Sequence, residues 1–503
     1  MDHNFEIQST TQGETAAIAP SLSKSLIATL GLAASYAFLF FHYELGLNVL
    51  IFDTLLLLTA LRLRPDLPKY RSFPWVTGGL LFSAVAVVIV NSPASLVAHH
   101  ISLLLFVGCV QARELRFIWF GLLLGCFHLT AGLLPRLKKF HSNHDASWTT
   151  RFYRQLGPVL AALIIATPFF LFYLLGNAAL GDLFGEISLY FSDVELSSTL
   201  LPTLLLMLLG AVIATATLVK TRKSSLVDLQ AGFTDELAPH QSDFEVLLPP
   251  FRTYKKLKRE ARLAISTLAI LNVLLLTVNL ADLRYVWLST DELTAATLSQ
   301  YVHAGTTHLI ASIFLAMGVI LYFFRGSLNF LATPGLKPLA VAWVAQNFLL
   351  LLSVGLRNYH YVDAYGLAIG RIYVFIALLI LAFGLLTLYR KVTQQLSLTY
   401  LLHSNGMALW LSLLLFGAIN WAGVITRYNL STQDTTEIDW DYLYYGFGGR
   451  NDFLLYTHPK AIAVDVVGDK RRYTSTYRYA DWRSWNYAQY RVNQMVPHPN
   501  VWR

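Results

Sequence analysis

A chain of 503 residues with 55% hydrophobic and only 14% charged side chains cannot cover itself with polar groups, since ordinary soluble domains carry about 25% charged residues. Mean hydropathy is +0.50, so lipid must cover much of the surface, which excludes a water-soluble globule. The formal net charge of +8 comes from a few loop clusters, which suit anionic lipid headgroups; no nucleic-acid-binding module accompanies them, so no nucleic-acid partner is expected.

Residues 1–23 form a polar N-terminal segment. The apolar stretch after it lacks a small-residue cleavage site, so it reads as a retained helix rather than a signal peptide. A crossing helix needs about 20 mostly apolar residues. By that measure about twelve stretches qualify, near 24–41, 46–61, 73–91, 94–111, 115–134, 158–177, 199–219, 263–287, 302–324, 338–356, 371–389 and 401–425. The runs are continuous rather than alternating, which predicts helices and not barrel strands. The expected fold class is therefore all-α: a polytopic transmembrane helix bundle over 24–425, with a small aromatic-rich extramembrane C-terminal tail over 426–503.

Between the spans, Arg136, Lys138 and Lys139 form one basic cluster, and Lys255, Lys256, Lys258, Arg259 and Arg262 another. The segment 178–198 is acidic and amphipathic, fit to lie on the interface. Residues 220–262 form an expected extramembrane loop with basic ends. The loops after the fifth, seventh, ninth and eleventh stretches hold most Lys and Arg, which places them in the cytoplasm and both termini outside. Arg62, Arg64, Lys69 and Arg71 contradict that scheme, because it puts the loop after the second stretch outside as well. In the tail, Ala461 to Val467 reads as a short β-like run, and the aromatic content is too high for disorder.

Polar residues inside the spans are the candidate sites. Asp53 lies mid-span, where an ionisable group costs a few kcal/mol and marks either a proton or cation site or a carboxyl bonded to a neighbouring helix. Tyr301, Gly305, His308 and Ser312 recur at helical spacing and share one face, as a cavity stripe or as ordinary close packing. Asn272 and Asn279, seven apart, share a face of the preceding helix and are placed to meet that stripe. Arg371 opens the eleventh stretch near Arg357, His360 and Asp363, as an anion site or an interfacial anchor. His99 and His100 are adjacent and point apart, so with His128 they make a poor haem site. Glu44 and His42 lie in a tight turn, where one acid is a weak base candidate.

Neither Cys109 nor Cys126 has disulfide or metal spacing around it. There is no phosphate-binding glycine loop, HExxH, GxSxG or paired carboxylate. No catalytic residue, metal or cofactor is expected. The tail aromatics Trp440, Tyr442, Trp482 and Trp485 are candidates for docking a partner protein, as is the 220–262 loop.

Five patterns recur in order along most of the chain: Gly46-Leu47-Asn48; Tyr301 to Gly305; Tyr365-Gly366-Leu367 with Arg371 and Tyr373; Arg427 to Leu430 with Asp439 to Leu443; and Asp481 to Asn486. Together they resemble a bacterial membrane family catalogued as domain of unknown function 4173, with its relative numbered 4153. Ala368 departs from that pattern, where a hydroxyl residue often follows Tyr-Gly-Leu. The resemblance implies a multipass protein of a bacterial inner membrane and brings no activity with it. Three readings follow: a non-enzymatic sensing, scaffolding or complex subunit; a small-solute or lipid transporter using Asp53; and a membrane enzyme, for which no residue set speaks.

Overall fold

The computed structural model describes residues 22–112, 115, 118–130, 195–219, 234–237, 254–288, 306–331, 333–464 and 481–495. Continuous apolar runs become helices because a helix satisfies every interior backbone group within its own segment. The first group comprises α1 (Leu22–Phe40), α2 (Leu47–Leu63), α3 (Phe73–Ile89), α4 (Pro93–Gln111), α5 (Ile118–Leu129) and α6 (Glu195–Leu218). The second comprises α7 (Tyr254–Asp282), α8 (Thr306–Phe323), α9 (Leu336–Tyr365), α10 (Ile369–Gln394) and α11 (Leu398–Gly417). Short helices follow: α12 (Trp421–Thr432), α13 (Trp440–Tyr445), α14 (Asp452–Leu455), α15 (Pro459–Ala463) and α16 (Tyr487–Met495).

Five of these helices, α4, α7, α9, α10 and α11, are long and apolar enough to cross a membrane. Five shorter apolar helices lie within α1, α3, α5, α6 and α8. Among the described residues there is no strand, only an isolated antiparallel bridge between Glu236 and Leu396. The stretch 158–177 and the segment 178–194 lie outside the described residues.

Two apolar cores are joined through α11. One is built by α1 to α6 around Leu56, Leu80 and Phe106; the other by α7 to α11 around Leu268, Phe324 and Leu388. On one side Trp410 of α11 lies against Gly79 and donates its indole N–H to Ser102 Oγ at 3.1 Å. On the other, Asn405 donates to Thr387 Oγ1 of α10 at 2.9 Å. Small residues permit close crossings elsewhere, as where Gly108 and Gly125 bring α4 and α5 backbone to backbone.

Three sequence expectations change. The stretch 401–425 is two helices, because Asn420 caps α12 by accepting the Gly423 N–H and breaks the run after Gly417. The expected loop 220–262 already enters α7 at Tyr254. Ala461 lies inside a helix rather than starting a strand, since Pro459 opens α15 at a position that needs no N–H donor; residues 465–467 of that run lie outside the described residues.

The bundle has two chemically different ends. The α1–α2, α3–α4 and α9–α10 connections meet at one end, where α12 to α16 pack as a cap. The α2–α3, α8–α9 and α10–α11 connections meet at the other, with the start of α7 and the end of α6. That second end carries Arg62, Lys69, Arg71, Lys258, Arg259, Arg262 and Arg390; at the cap end the turns 41–46, 90–92 and 366–368 contain no Lys or Arg, and the cations Arg371, Arg427, Arg450, Lys460, Arg483 and Arg491 belong to α10 and to the cap itself. The loop after α2 is therefore on the same side as the later basic loops. The sequence count parts from this arrangement between the end of α5 at Leu129 and the start of α6 at Glu195; residues 131–194 lie outside the described residues.

Candidate functional site: a docked aromatic cap and a buried Asp–His pair

The cap is fixed by side chains that replace missing backbone partners. Asn48 Oδ1 accepts from Gly46 N at 2.8 Å, and its amide donates to the Leu39 and Glu44 carbonyls, shaping the α1–α2 turn. The 481–486 segment seats on that turn, where Leu47 N donates to the Trp485 carbonyl at 2.9 Å. A Cβ on Gly46 would stand 2.5 Å from the Ser484 oxygen and 2.6 Å from that of Trp485, so only glycine fits this approach. Arg483 completes the joint. It donates to the Phe38 carbonyl at 3.0 Å and to the Tyr43 hydroxyl, and it stacks on the Tyr43 ring at 3.7 Å.

Hydrogen bonds from Arg483, foremost among its causes, hold the Asp481 carboxyl at about 2, below its ordinary 3.8. The folded value is depressed, so whatever this pair adds is present above about 3.8 and fades as pH falls through about 2. Protease resistance of residues 481–495 should therefore be flat from neutral to mildly acidic pH and fall only in strong acid. Asp481→Asn should remove the acid transition; a transition centred near neutrality would show that another group controls docking.

The second joint lies at the α9–α10 turn. Gly366 has φ +75, a left-handed conformation that favours glycine. Asn429 of α12 holds the next residue like a paired strand: Leu367 N donates to Asn429 Oδ1 at 2.6 Å, and Asn429 Nδ2 donates to the Leu367 carbonyl at 2.9 Å. The Tyr442 hydroxyl accepts from Ile369 N at 2.9 Å, and burial is the largest cause raising its phenol above the ordinary value. A third joint links Arg450 Nε to the Asn91 carbonyl at 2.7 Å. Ile425, Leu443, Phe447 and Leu455 fill the space beneath these bonds. Asn429→Ala should lower stability by about 2 kcal/mol, about 1 for each bond lost, read as a lower detergent unfolding midpoint. An unchanged midpoint would mean that water replaces both bonds without loss.

Of the predicted docking residues, Trp440 and Tyr442 turn inward; Trp440 donates its indole N–H to the Thr435 carbonyl at 3.0 Å. Trp482 and Trp485 stay exposed, as do Tyr487, Tyr490 and Tyr445.

Inside the first core, Asp53 of α2 and His99 of α4 meet. Their side chains are 2% and 6% exposed, and His99 Nδ1 stands 3.5 Å from Asp53 Oδ2. Neither atom has a hydrogen-bond partner. The two residues were separate candidates in the sequence, yet a signal joined them. Gly46 and Ser92 cap α2 and α4 at the same end of the bundle, and each candidate lies seven residues beyond its cap. Equal steps of about 1.5 Å per residue put them at equal depth.

The other candidates have structural partners. Asn272 donates to the Leu339 carbonyl and accepts from Gln346 Nε2, and Asn279 donates to the Gln346 carbonyl. Both therefore engage α9, not the α8 stripe. The reason is topological: α7 and α9 run parallel, so successive turns stay in register. His308 and Ser312 are on an exposed face of α8, while Tyr301 and Gly305 lie outside the described residues. Arg371 donates to the Tyr365 and Gly366 carbonyls and covers the Tyr361 ring at 4.2 Å, closing the α9–α10 turn. Arg357 pairs with Asp282. Among the described residues no group of His, Cys, Asp and Glu has metal-binding geometry.

A chain whose described residues fold as helices, several of them fit to cross a bilayer, with an aromatic cap on one end, is an integral membrane protein. The family described as "Domain of unknown function (DUF4153)" matches residues 27–449, and the chain belongs to it. The match is to the relative numbered 4153, and it ends before the Asp481 to Asn486 pattern. No curated protein and no solved structure matches the chain.

Proposed function

We propose that this protein is a non-enzymatic sensing, scaffolding or complex subunit of a bacterial inner membrane, which it crosses several times. The observation that carries the reading is the cap: polar joints hold it rigidly while Trp482, Trp485, Tyr487 and Tyr490 remain exposed. Rigid aromatic side chains bind protein partners with little loss of conformational freedom. The basic end faces the cytoplasm by its excess of Lys and Arg, which puts the cap on the opposite side.

The test is purification in mild detergent from the native bacterium, comparing wild type with Trp482→Ala/Trp485→Ala. A stoichiometric protein partner lost from the variant supports the reading. A wild-type protein that purifies alone and moves a solute across liposomes overturns it. Small-solute or lipid transport is the second reading, favoured by the buried ionisable Asp53, and Asp53→Asn should then abolish the flux.

A further inference from the structure

We propose that Asp53 and His99 together form a proton-binding site, in which one proton is held between Asp53 Oδ2 and His99 Nδ1. The inference stands apart from the reading of the cap.

The argument begins from charge. A neutral imidazole beside a carboxylate is a buried unit of charge −1, and a protonated imidazole beside a protonated carboxyl is +1. With one proton the pair is neutral overall, as carboxylic acid plus imidazole or as carboxylate plus imidazolium. A water-poor interior penalises both net-charged states heavily. The two facing atoms, 3.5 Å apart, are beyond an ordinary hydrogen bond and have no other partner. A proton taken from water makes the pair neutral and guarantees a donor between the two atoms: it bonds covalently to one atom and is accepted by the other. Nothing else is consumed, and loss of the proton reverses the step.

The surroundings leave that role to the pair. From α1 the Tyr36 phenol is in electrostatic reach of Asp53. His100 follows His99 on α4, with rings 5.3 Å apart, and its Nδ1 is 2.7 Å from the Leu96 carbonyl. From α5 comes the buried His128. Neither α3 nor the described side chains of α6 carry a titratable group, and Tyr400 and His403 of α11 lie toward the basic end. Ionisable groups inside membrane bundles pair with one another or with the backbone; Asp53 Oδ2 faces the His99 ring and has no hydrogen-bond partner.

The experiment uses the full chain in lipid nanodiscs, with infrared difference spectra and proton-uptake counting across a pH titration. Wild type should show a protonated-carboxyl C=O band that Asp53→Asn removes, together with uptake of about one proton more per chain than that variant. His99→Gln should move the band's midpoint by about one pH unit, a tenfold change in proton affinity. A wild-type spectrum and proton count unchanged in a correctly folded Asp53→Asn protein would overturn the proposal. Should Asp53→Asn not fold, an unmoved midpoint in His99→Gln overturns it alone.

Discussion

Replacing Gly46 with valine should release residues 481–495 from the membrane domain while leaving the bundle folded. The β-carbon alone would meet the Ser484 and Trp485 carbonyl oxygens at 2.5 and 2.6 Å, and both are backbone atoms that cannot swing aside. Overpacking of this kind costs about 3 kcal/mol, roughly a hundredfold in the docked fraction. Limited proteolysis should cut Gly46→Val near residue 481 about a hundred times faster than wild type. Equal cleavage would mean that the segment already exchanges freely. Gly46→Ala should release the segment nearly as fully, because the clash is set by the first carbon.

That joint also shows what local sequence can and cannot reveal. Gly46-Leu47-Asn48 and Asp481 to Asn486 were both visible as patterns, as were Tyr365-Gly366-Leu367 and Arg427 to Leu430. Their pairing was not visible, because hydrogen bonds such as Leu367 to Asn429 join residues far apart in the chain, and periodicity carries no long-range information. The helices themselves were legible, since each continuous apolar run must satisfy its own backbone in lipid. Where polar residues interrupt such a run, the reading failed: Asn420 could be part of a span or a cap, and its bond to Gly423 N makes it a cap. For Asn272 and Asn279 the shared face was right and the partner wrong. A heptad spacing fixes a face, whereas the helix opposite depends on the path of the chain. Asp53 was legible by its depth alone. Its partner required knowing that α2 and α4 enter the bundle from the same end.

At the basic end, removing Arg325 should destabilise the second core more than any surface substitution. Arg325 Nη2 stands 2.7 Å from Glu260 Oε1, with both side chains under 10% exposed, and Arg325 also donates to the Tyr322 carbonyl. Glu260 is on the first turns of α7, and Arg325 follows the last turn of α8. The pair therefore ties the start of one helix to the end of the next. Arg325→Met keeps the apolar stem and leaves the carboxylate buried without its cation, a loss of about 3–5 kcal/mol. Glu260→Gln/Arg325→Met removes both charges and should recover most of that loss, because the penalty belongs to the unpaired carboxylate rather than to the missing attraction. Thermal unfolding of the four proteins in one detergent measures the coupling directly. If the two single substitutions add without recovery in the double, the charges act independently, and the α7–α8 connection is held by apolar packing around Phe324 and Leu328.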